Sequence, residues 1–162
     1  MSKNQRLTVH GGKSIEPFSF IVLGRPAPQG SKRHVGNGIM VESSKHVRPW
    51  RKKIKSTAKS LLPVGWHAIL PVHLETEFLF ARPKTHFNSK GELKDSSYST
   101  PAPIHCTSVV GDIEKLVRSV ADALTGVVYE DDSQIISLNS LRRYARTHES
   151  ESVIIRITPI ID

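Results

Sequence analysis

GDIEKLVRSVADALTGVVYEDDSQI, residues 111–135, joins an amphipathic helix to an acidic turn and the start of a strand. Leu116, Val120, Ala123 and Leu124 fall at i, i+4, i+7 and i+8, and Val117 and Ala121 broaden the stripe. That spacing predicts a helix with one buried face, and Gly126 supplies its stop. Asp112 and Glu114 are two residues apart, about 200° around a regular helix, so they share a side only if the chain is still extended at Asp112. Asp is a favoured N-cap, which sets the helix mouth there. Beyond the turn at Glu130–Ser133, β-rich sequence begins.

Working outward, FSFIVLG (18–24) reads as a buried first strand, and Gly36, Asn37 and Gly38 between short β-compatible runs read as a hairpin turn. Trp50, Ile54, Ala58 and Leu61 put one apolar face on a second helix that Pro49 opens and Pro63 with Gly65 closes. PVHLETEFLF (71–80) alternates, with Val72, Leu74, Thr76, Phe78 and Phe80 on one face. SQIISLNSLRRYA and SVIIRITPI read as two strands joined by a polar turn around 148–150. The expected fold is α/β, a single domain with one mixed sheet and two main helices. Residues 1–16 read as a disordered tail, 17–162 as the folded domain, and the Pro/Ser/Thr/Lys-rich stretch near 82–111 as a mobile loop.

Charge is divided along the 162 residues. Residues 1–100 carry 17 Lys and Arg against 6 Asp and Glu, whereas 101–162 carry 6 against 9. Asp112, Glu114, Asp122, Glu130, Asp131 and Asp132 concentrate the acid in one short run. A carboxylate cluster repels phosphate unless divalent cations lie between them, and a basic surround attracts the polyanion. The combination points to metal-assisted chemistry on nucleic acid. One cysteine, Cys106, rules out an internal disulfide, and no Cys or His pair has the spacing of a structural zinc site. With no long apolar run and no signal-like start, the expectation is a cytoplasmic protein without a membrane span.

The bland reading of the acids is an exposed ladder, since Glu114, Arg118 and Asp122 follow at i, i+4 and i+8 and such pairs add only about 0.2–0.5 kcal/mol each. Against it stands the second acidic group in the turn at Asp131 and Asp132. Hard carboxylate oxygens suit Mg²⁺ or Mn²⁺, which keep several waters and bind substrate phosphate.

The run D-I-E-K-L-x-R-x-x-x-D-A-L-T-G-x-x-Y-x-D-D-S-Q-I resembles the signature of the RusA family of Holliday junction resolvases, and G-R-P-x-P at 24–28 and F-x-F-x-R-P-K at 78–84 resemble family segments in the same order. The resemblance implies a RusA-like fold and Mg²⁺-dependent, symmetric cleavage of four-way DNA junctions by a homodimer. It implies Asp112, Glu114 and Asp132 as metal ligands, with Arg118 at the position of the motif lysine. Glu114 stands where the family usually has Asp, Lys115 where it often has Asn, and Arg118 where it usually has Lys. Arg118 keeps the charge of that lysine but not its readiness to release a proton, so it suits stabilising an oxyanion better than acting as an acid.

Lys32 and Arg33 in QGSKR (29–33) are candidate phosphate contacts, as are Arg51, Lys52, Lys55 and Lys59 on the first helix. Trp50 and Trp66 read as core. The alternatives are a DNA-binding protein without catalysis, whose acids form only the ladder, and a nuclease for flaps or other branched DNA.

Overall fold

The computed structural model describes residues 16–30, 32–42, 45–107 and 111–161, with backbone alone at 32–34 and 40–42. The expected tail at 1–16 lies outside the described residues except for Glu16. Strand β1 (Phe18–Leu23) leads to a hairpin of β2 (Lys32–His34) and β3 (Met40–Glu42), then helix α1 (Val47–Leu61) and β4 (Val72–Phe80). Helix α2 (Ile113–Leu124), β5 (Ile135–Tyr144) and β6 (Ser152–Pro159) complete the chain. The main sheet has the order β1-β6-β4-β5; β4 and β5 are parallel, and the other neighbours antiparallel. This is the single mixed-sheet α/β domain that the sequence predicts.

Both helices cover one face of the sheet. Phe20 and Val22 of β1, Leu74, Phe78 and Phe80 of β4, and Val153, Ile155 and Ile157 of β6 meet Trp50, Ile54 and Ala58 of α1 and Leu116, Val120 and Leu124 of α2. Alternation on the strands and the 3.6-residue period on the helices thus converge on one core, where each large apolar side chain contributes about 1.5–3 kcal/mol. Leu61, predicted on the buried face of α1, is instead exposed as the helix's last residue. The final two strands follow each other in sequence but are not neighbours, because β4 lies between them.

The stretch read as a mobile loop has a defined course through residue 107. It holds a 3₁₀ turn (Lys84–His86), a Phe87–Leu93 bridge and internal backbone bonds such as Lys94 N–H to His86 O and Ala102 N–H to Lys94 O. Arg82 donates to Ala145 O and Pro103 O and lies over the Tyr144 ring, and residues 104–105 dress the outer edge of β5 near its end. Arginine, with several donors on one planar group, substitutes here for regular secondary structure.

Candidate active site

The mouth of α2 is held from three sides. Asp112 is the N-cap, extended at φ −77° and ψ 153°, and its carboxylate makes no capping hydrogen bond. It faces outward, 72% exposed, with Lys115 at 3.6 Å as its one ion-pair partner among the described residues. Behind it Gly111 adopts φ +89°, and a Cβ there would lie 2.5 Å from Cβ of Pro28, so glycine is required on both steric counts. Arg142, near the end of β5, donates to Gly111 O at 2.6 Å. The Pro26–Gln29 strap closes the third side: Gln29 N–H donates to Lys115 O, and the buried Ser119 hydroxyl donates to Ala27 O. The G-R-P-x-P segment therefore braces the first turns of the acidic helix.

The second acidic group is sorted by a corner rather than by strand alternation. Asp131 caps the 3₁₀ turn Asp132–Gln134 by accepting from Ser133 N–H, and hydrogen bonding from the Ser133 side chain, together with that backbone bond, lowers its pKa. The Gln134 carbonyl oxygen accepts from the N–H groups of Glu130 and Asp131, while its amide donates to Ala68 O and Leu70 O just ahead of β4. With Asp131 and Gln134 both bound to backbone, Asp132 is left exposed, without a hydrogen bond or ion pair among the described residues. Glu114 is likewise exposed and unpaired among them, and it lines a shallow depression of about 200 Å³ with Lys115 and Arg118.

The three acids do not converge within one chain: among the described residues, no three or more His, Cys, Asp or Glu side chains form a metal-holding group. The cause is topological. Because β4 and β5 are parallel, the helix between them runs the other way, and its two flanks lie at opposite ends of these strands. Twelve residues of α2 span about 18 Å. Asp112 stands at the end near Arg142, whereas Asp132 stands near the other end, beside buried Tyr129, whose hydroxyl donates to Ala121 O. Burial and the nearby charges of Asp132 and Asp122 push the Tyr129 pKa up.

The expected Glu114–Arg118–Asp122 ladder is also absent among the described residues. Asp122 turns instead to Arg51 of α1, which donates as well to buried Gln29. Arg51, predicted to contact DNA, is thus a half-buried tie between α1, α2 and the strap, and its guanidinium is already engaged. Lys52, Lys55 and Lys59 remain exposed on α1, as predicted. The side chains of Lys32 and Arg33 lie outside the described residues. Trp50 is buried, and Trp66 is half-buried with its indole N–H on Val128 O. Cys106 is buried and unpaired with another cysteine.

A helix with an acidic mouth, an acidic corner at its far end and a lysine-rich neighbouring helix defines the class: a mixed-sheet α/β protein whose acids are kept out of the core. Residues 24–158 match the family described as Endodeoxyribonuclease RusA, and the chain belongs to that family. It is also similar to the uncharacterized protein YqaN of Bacillus subtilis (strain 168), with 26% identity over 145 residues, covering 86% of this chain and 96% of the relative. No helix among the described residues is long and apolar enough to cross a membrane.

Proposed function

We propose that this chain is a Mg²⁺-dependent, structure-selective endonuclease that resolves four-way DNA junctions by paired phosphodiester hydrolysis, as a homodimer in recombination and repair. The observation that carries the reading is the corner at Asp131–Gln134, where two motif side chains bind backbone and present the third, Asp132, uncommitted. Asp112 and Glu114 are exposed as well, Asp112 beside Lys115 at 3.6 Å and Glu114 unpaired among the described residues, so their carboxylate oxygens are open to a cation. The donor set is hard oxygen throughout and fits Mg²⁺, with Mn²⁺ as the alternative ion. Asp112, Glu114 and Asp132 would hold it, and the bound ion supplies an activated water and relief of charge at the cleaved phosphate. Arg118, which lines the depression beside Glu114, would stabilise an oxyanion rather than give up a proton. Lys52, Lys55 and Lys59, with Lys32 and Arg33, supply attraction for the backbone.

Two features support the homodimer. A two-fold junction needs two cuts in opposed strands, which a symmetric pair provides. The split of the acids between the ends of α2 adds a stronger demand: an antiparallel pair of α2 helices would bring Asp112 and Glu114 of one copy toward the corner acid of the other.

The absence of the Glu114–Arg118–Asp122 ladder among the described residues weighs against a protein that keeps its acids only for helix stability. The deciding test incubates four-way, flap and linear DNAs with the protein, with and without Mg²⁺, and maps the cuts. Asp112→Asn and Asp132→Asn are expected to abolish cleavage while junction binding holds or tightens. Preferential cutting of flaps would replace junction resolution with flap cleavage. Full cleavage by either variant at saturating Mg²⁺ would remove that residue from the site.

A further inference from the structure

The main sheet ends on β5, which pairs with β4 on one side. On its other side only the last residues are covered among the described residues: Tyr144 N–H donates to Ile104 O, and His105 bridges Arg143. Pairing with β4 is regular from Ser137 to Tyr144, and Ile136 is the extra residue of a bulge opposite Val72 and His73. Successive residues of a strand turn their N–H and C=O groups to alternate sides, so Leu138, Ser140 and Arg142 share the outward direction of Tyr144. Arg142 lies within the bridged end. Leu138 and Ser140 are therefore the regular strand positions with backbone groups free for a new neighbour.

The side chains along this edge are apolar. Leu138 lies on the helix side of the strand and Leu141 on the other, Ile136 and Ile104 extend the row at its two ends, and all four are exposed. The segment IISLNSL, 135–141, has no charge and no proline, the devices that keep a solvent-facing edge single. Charge is instead graded from end to end: Glu130, Asp131 and Asp132 precede the strand, and Arg142 and Arg146 close it. An edge that is acidic at one end and basic at the other complements itself when turned end for end. A peptide from another protein would satisfy the backbone groups and the apolar row but gives no reason for that gradient. A second copy of this chain, related by a two-fold axis, accounts for all three.

We propose that two copies pair edge to edge through antiparallel β5 strands, joining their four-stranded sheets into one, with the two-fold axis at Asn139. In this register Leu138 of each copy exchanges both backbone bonds with Ser140 of the other, so both free positions are used and the bulge is not. Asp132, three residues ahead of β5, comes level with the end of the other copy's strand, where Arg142 holds Gly111 O and with it the mouth of α2. Self-pairing through β1, the opposite edge, would leave β6 and β4 between the seam and these acids. The seam gives the homodimer proposed above its interface; it rests on that reading for the dimer and not for the nuclease chemistry.

Two charge substitutions at matched exposure test the seam. Leu138 on β5 is 52% exposed and Ile21 on β1 is 53% exposed, so Leu138→Arg and Ile21→Arg should both leave the fold of one copy, read by circular dichroism, unchanged. Sedimentation of the full chain without DNA should show a parent dimer that Ile21→Arg leaves intact. Leu138→Arg should weaken that dimer at least roughly a hundredfold, because the two-fold axis buries the charge once from each copy. Asn139→Cys adds a gain of signal. Opposite residues of a non-hydrogen-bonded antiparallel pair lie about 4.5 Å apart at Cα, within disulfide reach, so mild oxidation should link two copies. The parent, whose one cysteine is the buried Cys106, should stay unlinked. A monomeric parent, a Leu138→Arg dimer as tight as the parent's, or an Asn139→Cys chain that does not link would each overturn the proposal, and dissociation by Ile21→Arg would move the seam to β1. Cleavage is read separately. A linked dimer that cuts no junction at saturating Mg²⁺ would sink the nuclease reading and leave the seam standing, whereas a junction-cutting dimer indifferent to Leu138→Arg would do the reverse.

Discussion

Gln134→Ala tests whether the acidic corner is built by its glutamine. The side chain makes four hydrogen bonds, of 2.9 and 3.0 Å to the N–H groups of Glu130 and Asp131 and of 2.7 and 3.0 Å to the carbonyls of Ala68 and Leu70. At about 0.5–1.5 kcal/mol each, a plain sum approaches 4 kcal/mol, but the corner is half exposed and water replaces part of what is lost, so about 2 kcal/mol is expected. With a urea slope of about 1–3 kcal/mol/M, the unfolding midpoint should fall by roughly 1 M. Single-turnover cleavage should fall at least about tenfold with junction affinity within about twofold, because Asp132 loses its fixed backbone. Gln134→Glu is the sharper variant: its carboxylate still accepts from Glu130 and Asp131 but faces the carbonyls of Ala68 and Leu70, so it should be at least as damaging. An unchanged urea midpoint in both variants would refute the corner as a scaffold, and unchanged cleavage would refute its link to Asp132.

Gly111→Ala forces a Cβ to 2.5 Å from Pro28 at a left-handed backbone angle, and thermal melts should show about 2–4 kcal/mol lost, a fall in Tm of roughly 5–15 °C. Arg51→Ala should cost about 2 kcal/mol in urea unfolding by stranding Asp122 and Gln29, whereas Lys52→Ala should cost under about 0.5 kcal/mol. DNA binding should reverse the order: loss of Lys52 flattens the salt dependence of log K by about one unit if it contacts a phosphate, and loss of Arg51 does not. Glu149, bonded to Arg143 and Arg146 N–H, has its pKa drawn down to about 2, so its contribution is complete above the ordinary value of 4.5 and disappears as pH falls toward 2. Unfolding free energies from urea titrations should fall between pH 5 and 2.5 by on the order of 2 kcal/mol more for the parent than for Glu149→Gln.

The fold was largely legible because its signals are local. The apolar stripe of α2, the alternation of β4 and the glycine-rich hairpin each set a period or a turn within a dozen residues, and burial followed them. What stayed hidden involves partners far apart in sequence. Arg51 looks like its lysine neighbours on α1, and nothing near it announces Gln29 and Asp122 at separations of 22 and 71 residues. The ordered course of 82–107 was equally unreadable, because its composition is that of a loop and its order comes from Arg82 bonding to Pro103 and Ala145.

The candidate site divides along the same line. At the corner Asp131 caps the turn and the Asp132 carboxylate is free of it, a division that the sequence did not announce. Convergence of Asp112 and Asp132 did not follow from their motif, because motifs fix order and not direction. A chain that passes from one parallel strand to the next through a helix must deliver the residues before and after that helix to opposite ends of the strands. Bringing such acids to one ion within a monomer would require an antiparallel β5 or a long return loop, and the eight-residue passage from Leu124 to Asp132 is neither. A second copy removes the conflict without altering the fold. Under the homodimer proposed above, such a nuclease would gain from dimerisation at the level of each metal site as well as from the pairing of two cuts. Mixing Asp112→Asn chains with Asp132→Asn chains separates the two gains: a shared site regains cleavage at one of the two positions in the heterodimer, and sites confined to single chains regain none.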